Sequence, residues 1–214
     1  MVIDFEHHFS WSDRHRPTVE RFWEGDELRY FGSVVGGDIE NHVTFMDAAG
    51  IDMAVLTGQH FNPELDTLKN WHDVTAKAVS DRPDRFVGFA GINALGGDAH
   101  FDELDRAVNE LGMKGVQINA RPGSEYLDSP NLWPFWEKVT ELGIPVDVHI
   151  SGRFGWDGLK ADYGLHYVIA REYDMGAAVL RVCLGGVLEA FPDLVLIMNH
   201  FGGAVTAVKE RMDL

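Results

Sequence analysis

Short apolar runs alternate with longer amphipathic stretches along most of the chain. The runs Met1–Phe9, Met53–Thr57, Phe86–Ile92, Gly115–Ile118, Pro145–Ile150 and Leu194–Met198 are rich in Val, Ile, Leu and Phe, as strands buried on both faces are. Between them, apolar residues recur at helical spacing. The faces are Ile39, Val43, Met46 and Ala49; Leu65, Leu68, Trp71 or His72, Thr75 and Val79; Phe101, Leu104, Val108 and Leu111; Leu132, Trp136 and Val139; and Met175, Ala178, Val179, Val182 and Leu188. Gly50, Gly112 and Gly143 supply stops, and Asp98, Asp128 or Ser129, and Asp174 supply N-caps. Gly202-Gly203 opens a last helix.

Strand starts fall near positions 2, 53, 86, 115, 145 and 194, and the middle gaps of about 30 residues match one βα unit. The two wide gaps hold segments without sustained period, at about 10–37 and 151–173. Both are expected to cap one end of a single domain spanning 1–214. Apolar strands alternating with amphipathic helices predict a parallel sheet covered by helices. No glycine fingerprint follows the first strand, which disfavours a dinucleotide fold. Polar residues instead gather where strands end: Glu6 and His8, Gln59, Asn93, Asn119 and Arg121, His149, Asn199 and His200. That distribution predicts an α/β barrel of the (β/α)8 TIM type with about six βα units visible.

A formal net charge of −16 excludes nucleic-acid backbones and anionic membrane surfaces as partners. No apolar run reaches the ~20 residues of a membrane span, and no signal peptide precedes the first strand, so a cytoplasmic protein is expected. Cys183 is the only cysteine and is expected to be a core thiol on a buried helix face. A small carboxylate substrate would have to be held locally, by a metal ion or a chosen arginine.

Alternation along the first strand puts Asp4, Glu6 and His8 on one face and Phe5, His7 and Phe9 on the other. Glu6 and His8 thus form a two-residue chelate on a rigid element. His149, at the end of the fifth strand, would close it, since one carboxylate and two imidazoles suit a divalent transition metal with open positions. His200 would stand beside the metal as a proton-transfer or hydrogen-bonding group. His7 is assigned to packing or support behind the ligands, and the remaining histidines get no role.

Ile3-Asp4-Phe5-Glu6-His7-His8 resembles the first-strand signature of the amidohydrolase-related superfamily. Phe45–Asp52, Leu142–Pro145 leading to His149, and Phe191–Leu194 leading to Asn199-His200-Phe201-Gly202-Gly203 are similar to its metal-dependent decarboxylase-like branch. The resemblance implies a (β/α)8 barrel, a divalent metal (zinc first, manganese or magnesium also admitted) and a homodimer or homotetramer. Glu6 stands where the usual His-x-His pair has its first histidine, as in the branch's aromatic-acid decarboxylases. The implied function is non-oxidative decarboxylation of an aromatic or enol carboxylic acid. The alternatives are metal-dependent hydrolysis of a lactone, amide or carbon–carbon bond, and a non-catalytic degenerate barrel. The family's eighth strand ends in a metal-binding Asp with no counterpart among the six units, which reads as a fragment or a truncated barrel. Arg121 and Arg153 are candidate carboxylate clamps, Trp11 and Trp23 candidate ring covers, and Asn93 a further substrate-binding candidate.

Overall fold

The computed structural model describes residues 1–9, 39–58, 64–150 and 169–211. Trp11, Trp23, Gln59, His60, Arg153 and His166, and most of both expected caps, lie outside the described residues. Strand β1 (Ile3–His8) leads to helix α1 (Ile39–Ala49), then β2 (Met53–Thr57) and α2 (Leu65–Asp81). β3 (Phe86–Gly88) and β4 (Ala90–Gly91) precede α3 (Asp98–Asn109), followed by β5 (Val116–Asn119), α4 (Trp133–Leu142) and β6 (Val146–His149). After these come α5 (Arg171–Leu184), α6 (Val187–Ala190), β7 (Leu196–Met198) and α7 (Val205–Val208). Every strand pair is parallel, in the orders β1-β2-β3 and β4-β5-β6-β7. This is the TIM-barrel alternation that the pattern predicted, with polar strand ends on one rim.

The expected third strand, Phe86–Ile92, is broken at Phe89. Phe89 N–H donates to Leu56 O at 3.1 Å, while Lys114 N–H donates to Gly88 O at 2.9 Å and Ala90 N–H to Gly115 O at 2.8 Å. The ladder therefore passes from β2 to β5 within three residues. Gly115 allows this, because a Cβ there would lie 2.4 Å from the Phe89 ring.

Several local expectations also change. Asp98 is the first helical residue of α3, not its cap, which is Gly97. Asp174 lies inside the first turn of α5 and is buried, 3.8 Å from Arg121 Nη1. Ser129 does cap, accepting from Asn131 N–H at 3.3 Å, and Gly143 ends α4 in the left-handed region. Cys183 is exposed, because the buried face of α5 runs through Met175, Ala178 and Val182 and leaves position 183 outside. Among the described residues no helix is long and apolar enough to cross a membrane.

His72, expected only to fill a helix face, ties three elements together. It is fully buried on α2, its Nδ1 donates to Glu103 Oε1 on α3 at 2.6 Å, and its Nε2 accepts from Gly91 N–H at 3.2 Å. Arg106 donates twice to the same Glu103. Burial holds the His72 pKa below its ordinary 6.5 even though Glu103 pulls it up. Burial pushes Glu103 up, but hydrogen bonds from Arg106 and His72 outweigh it and hold the carboxyl below 4.5. Unfolded chains therefore bind more protons than folded ones on acidification, so His72 costs stability as pH falls below about 6.5, and the contribution of Glu103 is lost only as pH falls below about 4.5. His72→Ala is expected to cost about 3 kcal/mol at pH 7, as a broken buried pair does. It should also flatten the stability loss between pH 6.5 and 5 in urea titrations; an unchanged slope would reject the assignment.

Candidate metal centre

β1 positions its ligands through an irregularity. Its register to β2 runs Ile3↔Met53 and Asp4↔Ala54, then His7↔Leu56 and His8↔Thr57. Three steps on β1 match two on β2, so β1 carries one extra residue, a bulge that re-aims side chains. Simple alternation therefore fails for Asp4: its Oδ2 takes the His7 Nδ1 hydrogen bond at 2.8 Å rather than joining Glu6 and His8. His7 Nε2 lies 2.7 Å from Nδ1 of His42, a fully buried residue of α1. Asp4, His7 and His42 thus form a polar chain behind the ligand pair. The sequence pointed to support from His7 but gave His42 no part.

β6 is buried at all four positions. His149 Nδ1 donates to Ile150 O at 2.7 Å, which leaves Nε2 as the ring nitrogen turned toward Glu6. That Nε2 lies 3.0 Å from Glu6 Oε1, and His8 Nε2 lies 3.9 Å from the same oxygen. One ligand atom from each of Glu6, His8 and His149 falls within 4.8 Å of the other two.

The donor set fits a divalent cation. Glu6 Oε1 is buried without a well-formed hydrogen bond, although His149 Nε2 faces it. A carboxylate oxygen and two imidazole nitrogens converging this closely are the kind of donor set a shared divalent cation would satisfy. Burial pushes the Glu6 carboxyl up, but the facing imidazole of His149, helped by His8 and His200, outweighs it and holds the carboxyl below its ordinary 4.5. Burial and the neighbouring His149 hold His8 down to about 4 against the pull of Glu6, which keeps its ring neutral, the form that ligates metal.

Asp147, which sequence reading passed over, lies two residues before His149 and is fully buried. Its Oδ2 accepts from Gln117 Nε2 at 2.8 Å and, more weakly, from Asn199 Nδ2 at 3.5 Å, while Oδ1 has no partner. Burial pushes its pKa up to about 6, with the Glu6 charge adding to the effect. The available signal was a carboxylate in the middle of an otherwise apolar strand.

His200 follows β7, outside the converging group of Glu6, His8 and His149, and its Nδ1 donates to Glu172 Oε1 at 2.8 Å. Both His200 and Phe201 have left-handed backbones, at φ 51° and 54°, a strained arrangement found at functional sites. Asn93 and Arg121 both have partners within the protein, and Arg121 also faces Asp174 of α5. Asn93 Oδ1 accepts from Leu95 N–H at 3.1 Å, closing the turn after β4. Arg121 donates to Ser124 O at 3.1 Å and stacks 4.1 Å over the Tyr126 ring.

Fold and site together define a TIM-type barrel with a candidate divalent-metal centre at one rim. The chain belongs to the amidohydrolase family: the family model described as "Amidohydrolase" matches residues 3–213. It is 30% identical over 152 residues to a 2-amino-3-carboxymuconate-6-semialdehyde decarboxylase of Dictyostelium discoideum, covering 70% of this chain and 42% of that protein. It is 29% identical over 193 residues to a gamma-resorcylate decarboxylase of Rhizobium radiobacter, covering 81% and 58%. The chain thus spans about half the length of these curated relatives. Among solved structures, a 2,6-dihydroxybenzoate decarboxylase from Rhizobium superposes with a TM-score of 0.78 at 25% identity, over 99% of this chain and 70% of that one. A manganese-bound 5-carboxyvanillate decarboxylase from Novosphingobium aromaticivorans shares the fold, with a TM-score of 0.77 at 23% identity over 100% and 68%.

Proposed function

We propose that this chain carries the metal centre of a non-oxidative decarboxylase acting on an aromatic or enol carboxylic acid. The observation that carries the reading is the convergence of Glu6, His8 and His149, with a carboxylate as the first member of the strand pair, in a chain similar to named decarboxylases. Zinc suits two imidazoles and a carboxylate, while the manganese in a structural relative supports a harder ion in the same site. A divalent ion held by Glu6, His8 and His149 would supply Lewis-acid chemistry at this rim.

The chain's own residues set the rest. One ionised Glu6 with two neutral imidazoles leaves a bound divalent cation only partly neutralised. The rim therefore attracts an anionic substrate even though the protein carries a net charge of −16. His200, whose Nδ1 is taken by Glu172, keeps Nε2 for a substrate oxygen or for moving a proton. In the overall reaction the ring–carboxylate bond breaks, its electron pair takes up a proton at the ring carbon, and carbon dioxide leaves.

The test is product analysis with 2,6-dihydroxybenzoate and related 2-hydroxy acids, using zinc- or manganese-loaded protein in ¹⁸O-labelled water. Stoichiometric carbon dioxide with no ¹⁸O in the aromatic product is expected. Ring opening or ¹⁸O incorporation would indicate hydrolysis by a metal-activated water, and absence of a stoichiometric ion would leave only a non-catalytic barrel.

A further inference from the structure

We infer that Glu172 is the positioning residue for His200, fixing which imidazole nitrogen faces the metal centre. The inference rests on the reading of His200 given above and extends it to a residue with no sequence motif of its own. Glu172 lies in the first turn of α5 and grips the loop after β7 in two separate ways. Its side chain accepts from His200 Nδ1 at 2.8 Å, and its backbone carbonyl accepts from Ala204 N–H at 2.8 Å. The loop is closed internally as well, by Gly202 N–H to Asn199 O at 3.0 Å and Gly203 N–H to His200 O at 2.8 Å. Gly203 makes the approach possible: a Cβ there would lie 2.3 Å from the Glu172 carbonyl oxygen and 2.8 Å from Met175 Cβ.

The magnitudes separate the two grips. His200 and Glu172 side chains are 27% and 32% exposed, and pairs open to solvent contribute about 0–1 kcal/mol. Two consecutive left-handed non-glycine residues cost on the order of 1–3 kcal/mol each. The side-chain pair is too weak to hold that backbone, so the backbone clamp and the Gly203 contact must do so. What remains for the carboxylate is orientation. By accepting the hydrogen bond from Nδ1–H it leaves Nε2 as the group available to substrate, as an orienting carboxylate does for a catalytic histidine.

The experiment compares Glu172→Ala and Glu172→Gln with the wild type in the full chain. ¹⁵N spectra of the His200 imidazole report its tautomer, and kcat, KM, bound metal and thermal stability are measured in parallel. Expected are an Nδ1–H tautomer in the wild type and a mixture in Glu172→Ala, with kcat lower by roughly 10- to 100-fold and KM within about twofold. Glu172→Gln, which keeps an acceptor oxygen, should restore most of the tautomer and part of kcat. Metal content and melting temperature should not move. An unchanged tautomer in Glu172→Ala would overturn the inference, as would a changed tautomer with unchanged kcat, or a loss of metal or stability that accounts for the defect. If the wild type decarboxylates none of the acids tested, the functional reading falls, while the ¹⁵N spectra still decide whether Glu172 orients His200.

Discussion

Glu6→Ala is expected to strip the divalent ion from the protein and lower decarboxylation by at least roughly 10³-fold. Glu6 brings the one negative charge among the three converging groups and an oxygen that has no well-formed hydrogen bond. Without it, two neutral imidazoles face the cation alone, and nothing in the triad offsets its charge. A Lewis acid contributes several kcal/mol to the transition state, and about 4 kcal/mol corresponds to roughly 10³ in rate. Elemental analysis after dialysis, paired with a carbon dioxide assay, checks both parts. Glu6→His, which recreates a His-x-His pair, should keep the ion. Full metal retention in Glu6→Ala would mean that the ion binds elsewhere.

Gly203→Ala should be the most damaging change outside the ligand set. Gly203 has φ 61° and ψ −139°, a region essentially reserved for glycine, where another residue costs on the order of 1–3 kcal/mol. The added methyl would also meet a backbone oxygen at 2.3 Å, and backbone cannot rotate away as a side chain can. The expected loss is about 3 kcal/mol, or a melting temperature lower by about 6–12 °C for a chain of this size. His200 should be displaced with it. Two other glycines calibrate the effect. At Gly97, with φ 68° and ψ −162°, the backbone cost is of the same kind but a Cβ would meet nothing within 4 Å, so Gly97→Ala should show that backbone cost alone, on the order of 1–2 kcal/mol. At Gly202 the nearest contact would be the side-chain Cγ1 of Val205 at 3.0 Å, which can shift. Equal melting temperatures for all three variants would reject the clamp at Gly203.

Much of the centre was legible because it depends on period and position. Glu6 and His8 share a side of one strand, and His149 and His200 follow other strands at the same rim; residue type and strand boundaries suffice to place them. The bulge in β1 was not legible. It is set by pairing with β2, and one extra residue sends Asp4 to His7 while leaving Glu6 with His8. The break at Phe89 escaped for a related reason: Phe86–Ile92 is uniformly apolar, and the choice of neighbour belongs to β2 and β5. Cys183 was misplaced by an apolar neighbourhood in which the true buried stripe lies one position away.

The buried polar networks, at the centre and elsewhere, belong wholly to tertiary structure. His42, His72, Asp147 and Glu172 look in the sequence like ordinary helix or strand residues, and each gains its role from partners 28 to 52 residues away. The alternation of strands and helices, the rim and three candidate ligands could be read from the chain alone, because hydrophobic period and residue chemistry are local properties. Only the folded chain decided which carboxylate supports which imidazole, because that choice depends on distances between elements that the period of any one of them does not contain.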